Sequence, residues 1–256
     1  MASVTFLVVA TNAYLPLGVR LVKRFNHFYH GEDAVTIHLL TDEELEPYLP
    51  PGNWARERRI HTNWVEGTSS KFKELITLSR SCDTEYLYVL DADTSFNRPF
   101  DLKWLLGDTV ACEHFGNRDW MADNDKKNYE RNRKSLAYVP YDTPHPQMYY
   151  MGMLIGGKTT CVEEFSTTML DWQTEDTRTG NPACVQDESY INKYFHVNPP
   201  SHVVPTDGFP WVISDKGGLG ETRNVNLGVS RVKAVLQEFR DRPLIDIRNN
   251  VVSAVN

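Results

Sequence analysis

Residues 4–10, VTFLVVA, are a near-continuous apolar run rich in β-branched side chains, the mark of a strand buried on both faces. Thr11-Asn12 ends it. Apolar positions at Leu17, Leu21, Phe25 and Phe28 then recur at helical spacing and predict a helix over residues 17–29. Gly31-Glu32-Asp33 reads as a turn, and residues 35–40 as a second strand ending at Thr41-Asp42. Strand, helix and strand at this spacing favour a parallel pair. Pro47, Pro50, Pro51 and Gly52 mark a loop. A helix over 69–81 leads into a third strand, residues 86–90, which stops at Asp91. A short strand follows over 109–113, then a polar stretch over 116–134 with room for one helix. Residues 147–155 read as a strand closed by Gly156-Gly157, followed by helices over 160–174 and from Asp187-Glu188-Ser189 to Phe195. Beyond Pro205 the pattern weakens, and residues 215–220 are Gly-rich. The order predicts an α/β fold with a mostly parallel sheet, in which ligands sit at the carboxyl ends of the strands. Thr11-Asn12, Thr41-Asp42 and Asp91-Ala92-Asp93 all fall at such ends.

Composition narrows the chemistry. A length of 256 residues suits one domain or a compact pair of lobes. The net charge of −7 argues against a nucleic-acid binder, whose footprint is basic. Lys126, Lys127, Arg131, Arg133 and Lys134 form a small basic group, but Asp and Glu interrupt it, as on a solvated helix face. The cysteines, Cys82, Cys112, Cys161 and Cys184, make no CxxC pair, which argues against structural zinc and suits a reducing compartment. The first residues lack a basic region and a stretch of about twenty apolar residues, so they read as a strand and not as a signal peptide or membrane anchor.

Asp91 and Asp93 are separated by one residue, so in an extended chain their carboxylates point the same way. Two negative charges at the end of a buried strand repel unless something neutralises them. A hard divalent cation such as Mn²⁺ or Mg²⁺ takes oxygen ligands and shares them with phosphates. The plainer alternative is a polar turn capped by one Asp, and haloacid-dehalogenase-type phosphatases also carry DxD after an apolar strand. Their strand opens the domain, whereas this one comes third. Asp187 and Glu188 start a predicted helix. They read either as first-turn carboxylates that suit the helix dipole, or as a pair facing a sugar, with Glu188 stabilising or attacking an oxocarbenium-like centre.

The strings YLYVLDADTSF, NYERN, SLAYVP, MYYMGMLIGG and QDESYINKY, in this order, resemble family 6 glycosyltransferases over nearly the whole chain. The resemblance implies a single GT-A catalytic domain over 1–256. About 1–110 would bind the nucleotide, about 111–210 the acceptor and the reacting centre, and about 211–256 would form a tail or lid. It implies a retaining transfer of a hexose from a UDP-sugar donor to a glycan acceptor in α1,3 linkage, dependent on Mn²⁺ or Mg²⁺. Carried over by position, Val9, Ala10, Thr11 and Tyr14 match the uridine-binding strand and loop. Asp91 and Asp93 match the metal and diphosphate ligands, with Ala92 against the ribose. Lys71 falls near a donor-contacting Arg of the family, on a helix that looks shorter here. Met151, Gly152 and Met153 match the segment that sorts donor sugars; Asp187 matches the donor-hydroxyl ligand, and Glu188 the proposed nucleophile. His114, Asn128, Val185 and Gln186 match acceptor-binding positions, and Arg231 and Lys233 are candidates for a basic tail over the diphosphate.

The departures are informative. Val185-Gln186 replaces a Trp-His pair of the family, and only His114-Phe115-Gly116 remains of an HPGFY string, so the acceptor is expected to differ. Met153 stands where Gly or Ala is usual and leaves less room for an acetamido group, which favours galactose or glucose over N-acetylgalactosamine. With no anchor or stem visible, a soluble cytoplasmic form of bacterial or viral type is expected. A metal-dependent phosphatase and a non-catalytic sugar-binding module are the competing classes.

Overall fold

The computed structural model describes residues 1–61, 64–114, 129–140 and 148–205, and the backbone of 211–213. The expected α/β architecture is present. Nine strands are described: β1 (Ser3–Val9), β2 (Ala34–Thr41), β3 (Trp54–Arg58), β4 (Tyr86–Leu90), β5 (Thr94–Phe96), β6 (Thr109–Glu113), β7 (Tyr150–Lys158), β8 (His202–Val204) and β9 (Trp211–Ile213). The helices are α1 (Leu15–Phe28), α2 (Trp64–Ser81), α3 (Thr159–Arg178) and α4 (Gln186–Val197). Seven strands form one sheet in the order β3-β2-β1-β4-β7-β6-β8. β3, β2, β1 and β4 run parallel, β7 runs antiparallel between β4 and β6, and β8 pairs parallel with β6. β5 and β9 make a separate antiparallel pair.

The strand order reverses between β1 and β4, since the chain winds outward from β1 to β2 and then returns. Beyond the carboxyl ends of two such strands lies a crevice lined by neither crossover, the usual place for a ligand. Thr11 and Asp91 lie at these two ends.

Alternating side chains split the core over the two faces. On one face α1 packs Leu15, Val19, Leu21, Val22 and Phe25 against Phe6, Val8, Tyr88 and Leu90. Phe25 meets Phe6, Phe96 and Phe100 edge-on at centroid distances of 5.6, 5.3 and 5.3 Å, the arrangement the ring quadrupoles prefer. On the other face α2, α3 and α4 cover Leu7, Leu87, Val89 and Ile155 through Phe72, Leu75, Phe165, Met169, Tyr190 and Phe195.

Several boundaries differ from the pattern. A 3-10 turn over Asn12–Tyr14 precedes α1. α2 begins five residues before the expected 69, so the helix that looked short is 18 residues long. Gly156-Gly157 does not close β7, which continues to Lys158. A Cβ on Gly156 would fall 2.3 Å from the Leu87 carbonyl oxygen, and one on Gly157, at φ +142°, 2.1 Å from that of Asp108. The glycines let β7 pass closely between its neighbours and do not stop it. Asn128, Phe115, Gly116, Lys126, Lys127, residues 215–220, Arg231 and Lys233 lie outside the described residues. Among the described residues, no helix is long and apolar enough to cross a membrane.

Candidate active site

The strand end after β4 is fixed by its neighbour. The Asp91 amide donates to the Met153 carbonyl at 2.9 Å, and the Thr94 amide turns back onto the Asp91 carbonyl. Ala92 packs into the α1-side core. The Asp91 side chain is half-buried, at 34% exposure.

Lys71 reaches this end from α2. Its Nζ stands 2.7 Å from Asp91 Oδ1 and 2.8 Å from Asp187 Oδ2, and it donates to the Gly152 carbonyl at 3.3 Å. An ammonium has three donors, and here each has an acceptor. Burial pulls the group down, but the Asp187 and Asp91 carboxylates outweigh it and hold Lys71 above the ordinary lysine range. Burial in turn pushes Asp187 up, and Lys71 opposes that rise. A cation this firmly charged, 2.8 Å away, keeps the pair ionic. One side chain thereby joins α2, β4, β7 and α4.

Gly152 is the other pivot. Its amide donates to Glu188 Oε1 at 2.9 Å, while a Cβ at this position would lie 2.6 Å from Asp187 Oδ2. The missing side chain lets both acidic groups sit against the strand. The Tyr149 hydroxyl donates to Glu188 Oε2 at 3.3 Å. Burial pushes the Glu188 carboxyl up to about 7; the Gly152 amide pulls it back and Asp187 adds to the rise. Burial, reinforced by Glu188, lifts the Tyr149 phenol far above its usual range, so it stays a donor. The His114 ring meets the Tyr149 ring edge-on at 5.5 Å, and its amide donates to the Tyr149 carbonyl.

The start of α4 is held in an unusual conformation. Gln186 has φ +29°, and a non-glycine residue there stores strain of a kind that clusters at functional sites. Ser189 Oγ accepts from the Val185 amide at 3.1 Å, and Glu130 accepts from the Cys184 amide at 2.6 Å. Asp176, almost fully buried, takes bonds from Ser135 Oγ, the Leu136 amide and the Tyr190 hydroxyl, fastening the SLAYVP segment to α3 and α4.

The loop after β1 is equally built. Val9 ends the strand, Ala10 and Thr11 are buried, and the Tyr14 ring packs partly on the α1-side core. Met151 and Met153 are also buried on that side, beside Leu90 and Ala92, whereas Gly152 faces Asp187 and Glu188. The structure therefore brings Lys71, Asp91, Gly152, Asp187 and Glu188 together, with Val185 and Gln186 adjoining through the chain and His114 through Tyr149. Sequence reading missed Tyr149, Glu130 and His61. Nothing in the pair Tyr149-Tyr150 marks which ring meets the acid.

Residues 68–220 match the sequence profile of glycosyltransferase family 6, more than half of the chain. The chain belongs to glycosyltransferase family 6. Its relatives include the Gallus gallus protein named globoside alpha-1,3-N-acetylgalactosaminyltransferase 1, 31% identical over 223 residues, which cover 77% of this chain and 63% of that protein. The human protein of the same name is 29% identical over 147 residues, 56% of this chain and 41% of that protein. The Rattus norvegicus histo-blood group ABO system transferase 2 is 26% identical over 186 residues, 70% and 54% of the two chains. The chain thus spans about half the length of these relatives. The seven-stranded, mostly parallel sheet of this family 6 chain, flanked by helices, is the α/β arrangement of the GT-A fold. Membership places the chain among glycosyltransferases and leaves the phosphatase reading without support.

Proposed function

We propose that the protein is a retaining transferase that moves a hexose from a UDP-sugar to a glycan acceptor in α1,3 linkage. One observation carries the reading: in a family 6 chain, Lys71 draws Asp91 and Asp187 together beside a Glu188 held by Gly152 and Tyr149. Two bonds to the ends of one carboxylate fix its aim, as a group facing an anomeric carbon requires. Asp187 would take sugar hydroxyls, with Lys71 setting its orientation. Val9, Ala10, Thr11 and Tyr14 would receive the uridine. His114, Asn128, Val185 and Gln186 would face the acceptor.

Asp91 and Asp93 suit Mn²⁺ or Mg²⁺, because both offer hard oxygen donors and neither is fully buried. Among the described residues no three His, Cys, Asp or Glu side chains gather into a site of their own, so diphosphate oxygens and water would complete the shell. When bound, the cation would offset charge on the departing UDP. The bond from the anomeric carbon to the phosphate oxygen breaks, and a bond to the acceptor oxygen forms on the same face. Glu188 acts as nucleophile or as electrostatic stabiliser in this exchange, and the acceptor proton passes to a departing phosphate oxygen.

Galactose is the favoured donor sugar, with glucose next, since a bulky Met153 stands where Gly or Ala is usual in the family. The Gallus gallus relative's name points the other way, so donor choice needs its own test. UDP release measured with UDP-galactose, UDP-glucose and UDP-N-acetylgalactosamine, with and without Mn²⁺, should be fastest with the first and lost on chelation. Fastest turnover with UDP-N-acetylgalactosamine would overturn the donor assignment, and unchanged turnover in chelator the metal assignment.

A further inference from the structure

Residues 129–140 carry most of NYERN and all of SLAYVP and lie outside the Asp91–Asp187–Glu188 centre. The segment is folded on itself. The Val139 amide donates to the Glu130 carbonyl at 3.1 Å, Arg131 Nη1 to the Val139 carbonyl at 2.6 Å, and the Ser135 amide to the Asn132 carbonyl at 3.0 Å. Ser135 and Leu136 are tied in turn to Asp176 of α3. From this fixed body two neighbouring side chains reach the two elements that meet at Glu188.

Tyr129 reaches β7. Its hydroxyl donates to the Met148 carbonyl at 3.1 Å, and its ring meets the Tyr149 ring edge-on at 5.2 Å, with Val139 completing the buried cluster. Glu130 reaches α4. It is buried, and its Oε1 accepts from the Asn132 amide at 2.7 Å and its Oε2 from the Cys184 amide at 2.6 Å. Burial pushes this carboxyl up, but the two amides outweigh it and hold it below the usual carboxylate range, so it stays ionised.

The approach to α4 depends on such bonds. Val185 stands at the N-cap and has no side-chain oxygen to offer. Three successive amides are held by side chains instead: Ala183 by the Tyr190 hydroxyl at 3.4 Å, Cys184 by Glu130, and Val185 by Ser189 Oγ at 3.1 Å. Tyr190 and Ser189 belong to α4 and move with it. Of the three acceptors only Glu130 comes from outside the helix. The strained Gln186, at φ +29°, follows directly, and such a conformation persists only where its surroundings over-determine it.

We infer that Tyr129 and Glu130 are positioning residues: from one rigid segment they hold the start of β7 and the approach to α4 at the spacing that places Glu188 on Gly152 and Tyr149. The inference rests on the proposed transfer reading for its effect on turnover, and on geometry alone for the coupling between the two elements.

The test combines amide hydrogen exchange by NMR on the full chain with steady-state kinetics. Glu130→Gln is nearly isosteric, but one of two accepting oxygens becomes an NH2 facing an amide donor. Exchange at the Cys184 and Gly152 amides should quicken about tenfold or more, while the Leu87 and Val89 amides within β4 keep their wild-type rates. The Gly152 amide is bonded to Glu188 and not to Glu130, so its response reports the coupling. With UDP-galactose, kcat should fall about tenfold or more at a donor KM within about threefold of wild type, because binding remains and the aim of Glu188 is lost. Tyr129→Phe keeps the ring contact and drops the Met148 bond. It should move Gly152 exchange and kcat in the same direction by about threefold, and it decides the matter if Glu130→Gln folds poorly. A merely structural role would instead speed the β4 amides together with Gly152. That pattern, or wild-type Gly152 exchange and kcat in a folded variant, would overturn the inference while the transfer reading stands. If wild type transfers no sugar but Gly152 exchange responds as expected, the coupling stands and the transfer reading falls.

Discussion

Glu188 shows how much one residue's surroundings decide. A first-turn glutamate reads equally well as a helix-dipole partner, and the sequence alone cannot choose. Its burial makes it costly to the fold when ionised, and the Gly152 amide on one oxygen offsets only part of that cost. In the unfolded chain it titrates near 4.5 and in the fold near 7, so both states are protonated at low pH and no penalty exists there. The penalty builds between these values and is complete above pH 7, at about 3 kcal/mol. Glu188→Gln keeps an acceptor for Gly152 and an amide that the Tyr149 oxygen can accept. The variant should therefore melt several degrees higher than wild type at pH 8 and lose that advantage as pH falls toward 5, in thermal scans across pH. Equal melting temperatures at pH 8 would show that burial does not strain this carboxylate. The kcat/KM of wild type for its donor should fall about tenfold per pH unit below 7, as the ionised form is lost. A profile flat from pH 5 to 8 would remove Glu188 from the reacting centre. Ala10, Thr11, Asp91 and Asp187 were legible because an apolar run or a motif pointed at them. His61 and Tyr149 were not, because their roles come from partners 50 and 39 residues away in sequence.

At the scale of elements, β1, β2, β4 and α1 were legible because burial on both faces of a strand, or on one stripe of a helix, writes a period into the sequence. β3 was not, since Trp54-Ala55-Arg56-Glu57-Arg58 lies at the sheet edge and its charges alternate with little apolar signal. β5 and β8 are three residues each, too short to carry a period. Gly156-Gly157 misled because glycine reads as a terminator, whereas here it admits close strand passage. α2 gains its functional meaning through Lys71, which bridges to β4, β7 and α4 as charge and as hydrogen-bond donor. Lys71→Met should destabilise the protein by about 3–5 kcal/mol, the usual cost of leaving a buried charge without its partner. Lys71→Arg should recover part of this. Chemical denaturation measures both, and a Met variant as stable as wild type would mean that Asp187 is neutral in the fold.

Across the whole molecule, the two parts of the candidate site come from different strand ends of one sheet. The loop after β1, proposed to receive the uridine, and the acids at the ends of β4, β7 and α4 are both reached from α2, by Ser70 through His61 and by its neighbour Lys71. The strand order brings these ends together, and no local motif could announce that. Val185-Gln186, proposed to face the acceptor, depart from the family in sequence, and the structure places them at the strained start of α4. The central claim is retaining transfer from a UDP-sugar at the Asp91–Asp187–Glu188 centre. NMR of the product formed from UDP-galactose and a galactosyl glycan with Mn²⁺ tests it most directly. The account predicts an α1,3-linked galactose, one UDP released per linkage, and loss of both in Glu188→Gln. A β-linked product, or undiminished transfer by the variant, would contradict it.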